Sequence, residues 1–183
     1  VHTLGIPHPR GYPLSVLLGK LWTLVFPLGT IAYRMTECSA LAASAAVGLT
    51  YDLVRSLALS RTAAAMAALT LAFSASFWSQ SNIQRVYTLN VLFMIAVLRA
   101  ASAWLRSRRT RTLYVAFFLC GLGATNHTFM AVAAIALAAI VVTSPRTPLD
   151  PLPLPASRWA LAATSFAAGL APYLYLPLRS RAD

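Results

Sequence analysis

The stretch that decides the fold lies at residues 112–144 and reads TLYVAFFLCGLGATNHTFMAVAAIALAAIVVTS. It carries no formal charge with its histidine neutral. At about 1.5 Å per residue a single helix of this length would reach roughly 50 Å, too long for one ordinary membrane span. Two glycines and the pair Asn126-His127 lie near its middle. We therefore predict two short helices that meet at Asn126-His127, an arrangement tolerated where helices line a cavity.

The composition of the whole chain indicates an integral membrane protein. Of its 183 residues, 58% are apolar and only 10% are charged, and the mean hydropathy is +0.68. Soluble proteins average about 25% charged residues, so the lipid bilayer is the solvent that fits this surface. The net charge of +11 would also suit a nucleic-acid-binding protein. Because the arginines lie between apolar runs, they favour a topological role, and we expect no nucleic-acid partner.

Apolar runs of about 20 residues, the length that crosses a bilayer, predict the other spans. They cover residues 31–54, 62–79, 86–105 and 159–178, the last interrupted by Pro172 and Pro177. Residues 14–26 place leucines on one helical face, which indicates an amphipathic helix in the membrane interface, with a tilted span as the alternative. The predicted fold is all-α: a polytopic membrane bundle of about six spans plus this interfacial helix.

We predict one transmembrane domain over residues 1–183, with an outer loop and the interfacial helix in residues 1–30 and the membrane spans in residues 31–178. The first residue is Val1 rather than methionine, and we expect the chain to be an internal fragment of a longer polypeptide. The two cysteines offer neither a disulfide framework nor metal-ligand spacing, so we expect free thiols, no metal and no cofactor. Arg34 and Glu37 are three residues apart on one predicted helix and are expected to pair.

The placement of the arginines orients the spans, because basic residues predominate in cytoplasmic loops. Arg55 and Arg61 flank one connection, and four arginines fill residues 106–111. Alternating spans then bring four other connections to the extracytoplasmic side. The candidate substrate-binding residues in these connections are His8, Arg10, Tyr12, Arg85, Tyr87, Asn90, Asn126, His127, Tyr175 and Arg179.

These residue types fit a sugar carried on a lipid phosphate. Arginine binds phosphate oxygens with a forked geometry, aromatic faces stack on sugar rings, and Asn or His can hydrogen-bond hydroxyls. Simpler explanations stand beside this one: tyrosines at span ends commonly anchor the interface, arginines there bind lipid headgroups, and Asn126-His127 could cap two short helices. Polar residues at membrane depth nevertheless favour a functional site.

Four motifs resemble those of a known family. They are residues 4–14, LGIPHPRGYPL; residues 77–80, FWSQ, with residues 86–90, VYTLN; residues 121–127, GLGATNH; and residues 172–179, PYLYLPLR. In this order they cover almost the whole chain. The chain thereby resembles a polytopic family, known as a domain of unknown function, that is related to the transmembrane protein O-mannosyltransferases and has many bacterial relatives.

The resemblance implies a GT-C glycosyltransferase that moves a sugar such as mannose from a polyprenyl-phosphate carrier to a hydroxyl acceptor such as protein Ser or Thr. It implies a multi-pass protein, here expected in a bacterial cell membrane, with its active face extracytoplasmic. It also implies a catalytic acidic residue upstream of Val1, so that the fragment alone would be inactive. Arg10 stands where the family usually has Pro, and Arg85 where it usually has Glu.

Three hypotheses follow from these residues. In the glycosyltransferase, the donor phosphate binds Arg179 with help from Arg85 or Arg10, and the sugar or acceptor site is lined by His127, Asn126 and Tyr87. A transporter or flippase would instead show matching halves with broken helices in equivalent places. A non-catalytic assembly subunit would use the polar outer face to dock a partner.

Overall fold

A computed structural model describes residues 12–57, 59–144 and 154–180 of the protein. No β-strand occurs in these three ranges, which confirms the all-α prediction. The helices, in chain order, are α1 (Pro13–Val25), α2 (Ile31–Ser56), α3 (Arg61–Ala72), α4 (Ala75–Ser81), α5 (Tyr87–Ser107), α6 (Thr110–Asn126), α7 (Met130–Thr143), α8 (Ala156–Gly169), a 3₁₀ helix (Ala171–Leu174) and α9 (Tyr175–Ser180).

The uncharged stretch forms two helices, as the sequence predicts. α6 ends at Asn126, and the next residue, His127, has an extended backbone with φ −153° and ψ 122°. α7 then begins at Met130 and packs back against α6. The turn at Asn126-His127 therefore lies at one end of the helix bundle.

The predicted span over residues 62–79 is bent, because α3 and α4 meet at an angle of 62°. The break is local: the side chain of Ser74 accepts a hydrogen bond from the backbone N–H of Phe77 at 3.3 Å and so caps the start of α4. A second bend of 45° separates α8 from the helical residues that follow. It lies at the interruption expected from Pro172, whereas Pro177 is inside α9.

Six spans are not confirmed. Among the described residues, α5 is the one helix that is both long enough and apolar enough to cross a membrane, and counting each bent pair as one span gives up to three. α6 and α7 have 17 and 14 residues, shorter than an ordinary span of about 20. Their shortness follows from the turn that divides the uncharged stretch.

α1 exposes leucines that a soluble helix would bury. The N-terminal half of α1 buries Leu14 and Val16 against the bundle, whereas Leu21, Leu24 and Val25 in its C-terminal half are exposed. A surface helix of a soluble protein turns its apolar stripe toward the core. The exposed apolar side chains of the C-terminal half are those that contact with lipid favours.

α6 and α8 form the most extensive helix pair, with a glycine on each side of the contact. A Cβ atom at Gly121 would overlap the carbonyl oxygen of Phe166, and one at Gly169 would overlap the carbonyl oxygen of Phe118. Such close backbone contact through small residues is how helices associate in membranes. The glycine pair therefore sets the distance between these helices.

α2 and α5 run side by side in the same direction. Near their C-terminal ends, Nε of Arg99 lies 2.6 Å from Oδ2 of Asp52, and Arg106 donates a hydrogen bond to the carbonyl oxygen of Ser56. α5 is roughly 31 Å long at 1.5 Å per residue. The arginine-rich turn after α5 thus lies at the opposite end of the bundle from Tyr87, where α5 begins.

Arg34 does not form the expected ion pair with Glu37. Its guanidinium instead donates hydrogen bonds to four backbone carbonyl oxygens, those of Thr23 at 3.0 Å, Pro27 at 2.6 Å, Leu28 at 3.2 Å and Gly29 at 3.0 Å. The last carbonyl groups of a helix lack partners within the helix. Arg34 satisfies them at the end of α1 and in the turn that follows.

Arg34→Lys is expected to loosen this turn, because an ammonium group cannot bond four carbonyl oxygens at once. We expect amide hydrogen exchange in residues 24–30 to rise about tenfold, the effect of losing one or two net hydrogen bonds. Mass spectrometry of the membrane-reconstituted protein measures it. Arg61→Lys, at the exposed start of α3, is the matched control. Equal exchange in both variants would show that Arg34 does not hold the turn.

Candidate functional site

Three predicted site residues meet at the end of the bundle where α5 begins and α6 ends. The His127 ring stacks on the Tyr12 ring, with 6.1 Å between centroids and 23° between planes. The Tyr87 ring lies on a third segment, 6.3 Å from His127 at 41°. Nδ1 of His127 accepts a hydrogen bond from the backbone N–H of Phe129 at 3.3 Å, which leaves the ring proton on Nε2. We call Tyr12, Tyr87 and His127 the aromatic cluster.

Asn126 joins the same three segments. Its side chain is fully buried, its Oδ1 accepts a hydrogen bond from the Ser15 hydroxyl of α1, and its Nδ2 donates to the carbonyl oxygen of Val86 at 3.0 Å. Both ends of the amide are therefore engaged within the protein. The geometry gives Asn126 the role of holding α1 and the start of α5 against the end of α6.

A fourth segment reaches this end of the bundle through Tyr173. Its hydroxyl donates a hydrogen bond to the carbonyl oxygen of Ala124 at 3.0 Å. α9 follows directly and carries Tyr175 and Arg179, both half-buried. Tyr175, and not Tyr173, is among the predicted site residues, because the PYLYLPLR motif does not show which tyrosine turns toward α6.

A cavity of about 160 Å³ lies between α1, α2 and the start of α5. We call it the α1–α2–α5 cavity. Its walls are mostly apolar, and two members of the predicted site, Tyr12 and Arg85, line it. Ser15, which is bonded to Asn126, lies on the same wall as Tyr12. The cavity and the aromatic cluster are therefore neighbours.

Thr88 lines this cavity and was not among the predicted site residues. It is 1% exposed, and its Oγ1 has no hydrogen-bond partner within the described part of the chain. Nearly all buried hydroxyl groups have a partner, so an exception calls for an explanation. The sequence feature that could have pointed to Thr88 as a site residue was its position inside the VYTLN motif.

The remaining predicted site residues do not belong to the aromatic cluster. Asn90 lies one turn into α5, and its Oδ1 is buried without a hydrogen-bond partner among the residues that the structure describes. Arg85 is exposed where it borders the cavity. His8 and Arg10 lie outside the described residues. Substrate contact by each of these residues stays a prediction.

The arrangement brings an apolar cavity, a guanidinium group and three aromatic rings to one end of the bundle. Binding sites commonly combine apolar walls with a few placed polar groups, so this end suits a ligand with an apolar and a polar part. The two carboxylates of the described ranges lie elsewhere: Asp52 pairs with Arg99 at the opposite end, and Glu37 does not line the cavity.

Comparison with known proteins gives consistent matches. The model of the family described as protein O-mannosyl-transferase TMEM260 N-terminal domain matches residues 1–149. The chain is 33% identical over 184 residues to protein O-mannosyl-transferase TMEM260 of Mus musculus, a match covering 98% of the chain and 26% of that relative. It is 26% identical over 146 residues to protein O-mannosyl-transferase tmem260 of Dictyostelium discoideum, covering 70% of the chain and 18% of the relative. The chain thus spans about a quarter or less of these curated relatives, and no solved structure matches it.

Proposed function

Because the chain belongs to the family of the protein O-mannosyl-transferase TMEM260 N-terminal domain, we propose that it forms part of a mannosyltransferase whose acceptors are protein hydroxyl groups. The structural observation that carries this proposal is the meeting of Tyr12, Tyr87 and His127 beside an apolar cavity. Aromatic faces pack on sugar rings, and an imidazole N–H can donate a hydrogen bond to a sugar hydroxyl.

In this proposal the donor is mannose on polyprenyl phosphate, and the architecture is a GT-C membrane bundle of about six spans. The exposed leucines of α1 support a lipid environment, and the apolar cavity suits the lipid part of such a donor. The arginine-rich turn after α5 lies at the end opposite the aromatic cluster, which supports an extracytoplasmic active face. Since the mouse and Dictyostelium relatives are eukaryotic, the bacterial cell membrane stays a prediction from the resemblance.

The proposed reaction forms one bond and breaks one. The oxygen of a serine or threonine hydroxyl bonds to the anomeric carbon of the sugar, with inversion, while the bond between that carbon and the phosphate oxygen breaks. The electron pair leaves with the lipid phosphate, and the hydroxyl proton passes to a base outside the described residues. A guanidinium group, from Arg85 or Arg179, stabilises the charge that grows on the phosphate, an effect that is strong in a water-poor site.

His127→Ala is expected to lower sugar transfer about tenfold. The substitution removes the ring that stacks on Tyr12 and faces Tyr87, and such ring contacts contribute about 0.5–1.5 kcal/mol each. The measurement is transfer of labelled mannose from mannosyl polyprenyl phosphate to a Ser/Thr peptide by the full-length protein in proteoliposomes. Thr128→Ala, at the exposed neighbouring residue, is the control. Equal transfer by both variants would show that His127 does not contribute to the sugar-binding site.

The same proteoliposomes separate the rival functions. Transfer by the wild-type protein supports the mannosyltransferase. Uptake of the lipid-linked sugar without transfer to the peptide would replace it with a transporter or flippase. If a protein shown to be folded gives neither transfer nor uptake, the result would favour an assembly subunit that acts through a partner.

A further inference from the structure

The start of α5 has the features of an anion-binding site. α5 has 21 residues, and no side chain caps its first turn. The N–H group of Asn90 is the first to bond back to the Val86 carbonyl oxygen, so those of Tyr87, Thr88 and Leu89 have no partner within the helix. Unpaired N–H groups and the helix dipole give such an end a partial positive charge that favours anions. Arg85 adds a full positive charge directly before it.

Thr88 is the second, independent observation. Thr88 lines the cavity and is only 1% exposed, yet its Oγ1 has no hydrogen-bond partner in the described ranges. A buried hydroxyl left without a partner costs free energy that a ligand oxygen would recover. An anionic oxygen at the start of α5 is a suitable acceptor for this hydroxyl, because the surrounding charge is positive.

The size of the cavity limits what else it can hold. An apolar cavity of about 150 Å³ accommodates one benzene molecule, which has six carbon atoms. The α1–α2–α5 cavity, with about 160 Å³, is therefore large enough for one five-carbon isoprene unit. Val16, Leu18, Met35 and Leu89 supply apolar walls of the kind that such a unit requires.

We propose that the start of α5 binds the phosphate of the lipid-linked donor, and that the cavity holds the isoprene unit next to that phosphate. Arg85, the Thr88 hydroxyl and the first-turn N–H groups contact the phosphate oxygens. This inference rests on the proposed function, since it names the place where the donor of that reaction binds. It moves the main phosphate contact from Arg179 to Arg85, the position where the resembling family usually has Glu.

The two cysteines provide a probe of occupancy. Cys38 lines the cavity and is half-buried, whereas Cys120 is fully buried in the core. A ligand in the cavity should protect Cys38 from a small alkylating reagent, and Cys120 should not react in the folded protein. Alkylation of each cysteine, quantified by mass spectrometry of the full-length protein in nanodiscs, reports ligand binding without any sugar transfer. A Cys38 that never reacts would mean a closed cavity and would overturn the proposal.

Three probes distinguish the possible ligands: polyprenyl phosphate, polyprenol without phosphate, and phosphatidylglycerol as an ordinary anionic lipid. We expect polyprenyl phosphate to protect Cys38 at a concentration at least tenfold below that of the other two. Equal protection by polyprenol would show that the phosphate does not contribute to binding and would overturn the proposed phosphate contact. Equal protection by phosphatidylglycerol would turn the site into a general lipid-headgroup site and would overturn the assignment to the donor.

Variants test the named contacts. Thr88→Val keeps the side-chain shape and removes the hydroxyl, and Arg85→Gln changes an exposed residue. Each should raise the concentration of polyprenyl phosphate for half-protection about tenfold, the effect of losing one hydrogen bond to a charged group. Arg111→Gln, at the opposite end, should leave it unchanged. If both variants bind as the wild type does, this inference fails while sugar transfer can still succeed; if binding is as expected and no sugar is transferred, the proposed function fails instead.

Discussion

Gly121→Ala is expected to separate α6 from α8 and to leave little folded protein. The added Cβ would overlap the carbonyl oxygen of Phe166, which belongs to the backbone of α8 and cannot rotate away. Overpacking of this kind costs about 1–3 kcal/mol when side chains can adjust, and more when the obstacle is backbone. Whole proteins are stable by only about 5–15 kcal/mol. A single methyl group here should therefore remove a large share of the free energy of unfolding.

A matched glycine on another helix provides the control for this prediction. A Cβ at Gly48 in α2 would meet no atom within 4 Å, and alanine is favoured over glycine in helices by about 1 kcal/mol. Gly48→Ala should therefore keep or raise the melting temperature in detergent, while Gly121→Ala lowers it. Gly169→Ala disturbs the same contact from the other helix, so the double variant should not show additive losses. Equal melting temperatures for the alanine variants of Gly48 and Gly121 would contradict the close α6–α8 contact.

Asn126→Leu is expected to reduce sugar transfer about a hundredfold. The substitution leaves the Ser15 hydroxyl without its acceptor and leaves the Val86 carbonyl oxygen with the N–H of Asn90 as its remaining donor, and each lost hydrogen bond costs about 0.5–1.5 kcal/mol. α5 and α6 still pack along their lengths, but the end of α6 is no longer bonded to the start of α5, so the distance that brings Tyr87 to His127 is held less tightly. Transfer from mannosyl polyprenyl phosphate, measured in proteoliposomes, gives the loss.

Ser15→Ala separates the two bonds of Asn126. It removes the contact to α1 and keeps the bond to Val86, so we expect a loss of only about tenfold, with Cys38 still protected by polyprenyl phosphate. A purely structural role would lower the melting temperature in proportion to activity in both variants. A positioning role predicts that Asn126→Leu loses more activity than its melting temperature explains. Unchanged transfer by Asn126→Leu would mean that the aromatic cluster does not depend on this residue.

The sequence predicted the turn that positions the site, but not every helix. An uncharged stretch too long for one span, with Asn126-His127 in its middle, has few other arrangements, and α6 and α7 meet there. The break at Ser74 could not be read from hydropathy, because serine adds little polarity to an apolar run yet can cap a new helix. The partners of Arg34 could not be predicted for a similar reason. The spacing along α2 brings Glu37 within reach of Arg34, whereas the four carbonyl oxygens that Arg34 binds come close to it only because the chain turns between α1 and α2.

The candidate site was also predictable only in part. Tyr12, Tyr87 and His127 were selected for their chemistry and for being at span ends, and the structure brings their rings together. Thr88 was overlooked, because its pattern in sequence is that of an ordinary buried helix residue. The lack of a partner for its hydroxyl depends on the packing of α1 and α2 around it, which no spacing along the chain reveals.

Cysteine accessibility across the membrane tests the central claim most directly, namely that separate turns reach one extracytoplasmic site. R85C and T128C lie near the site and S60C and R109C near the opposite end, each made in a protein with Cys38 and Cys120 replaced. A membrane-impermeant maleimide should label R85C and T128C in intact cells, and S60C and R109C only after permeabilisation. Labelling of R85C and T128C from opposite sides of the membrane would contradict a shared site.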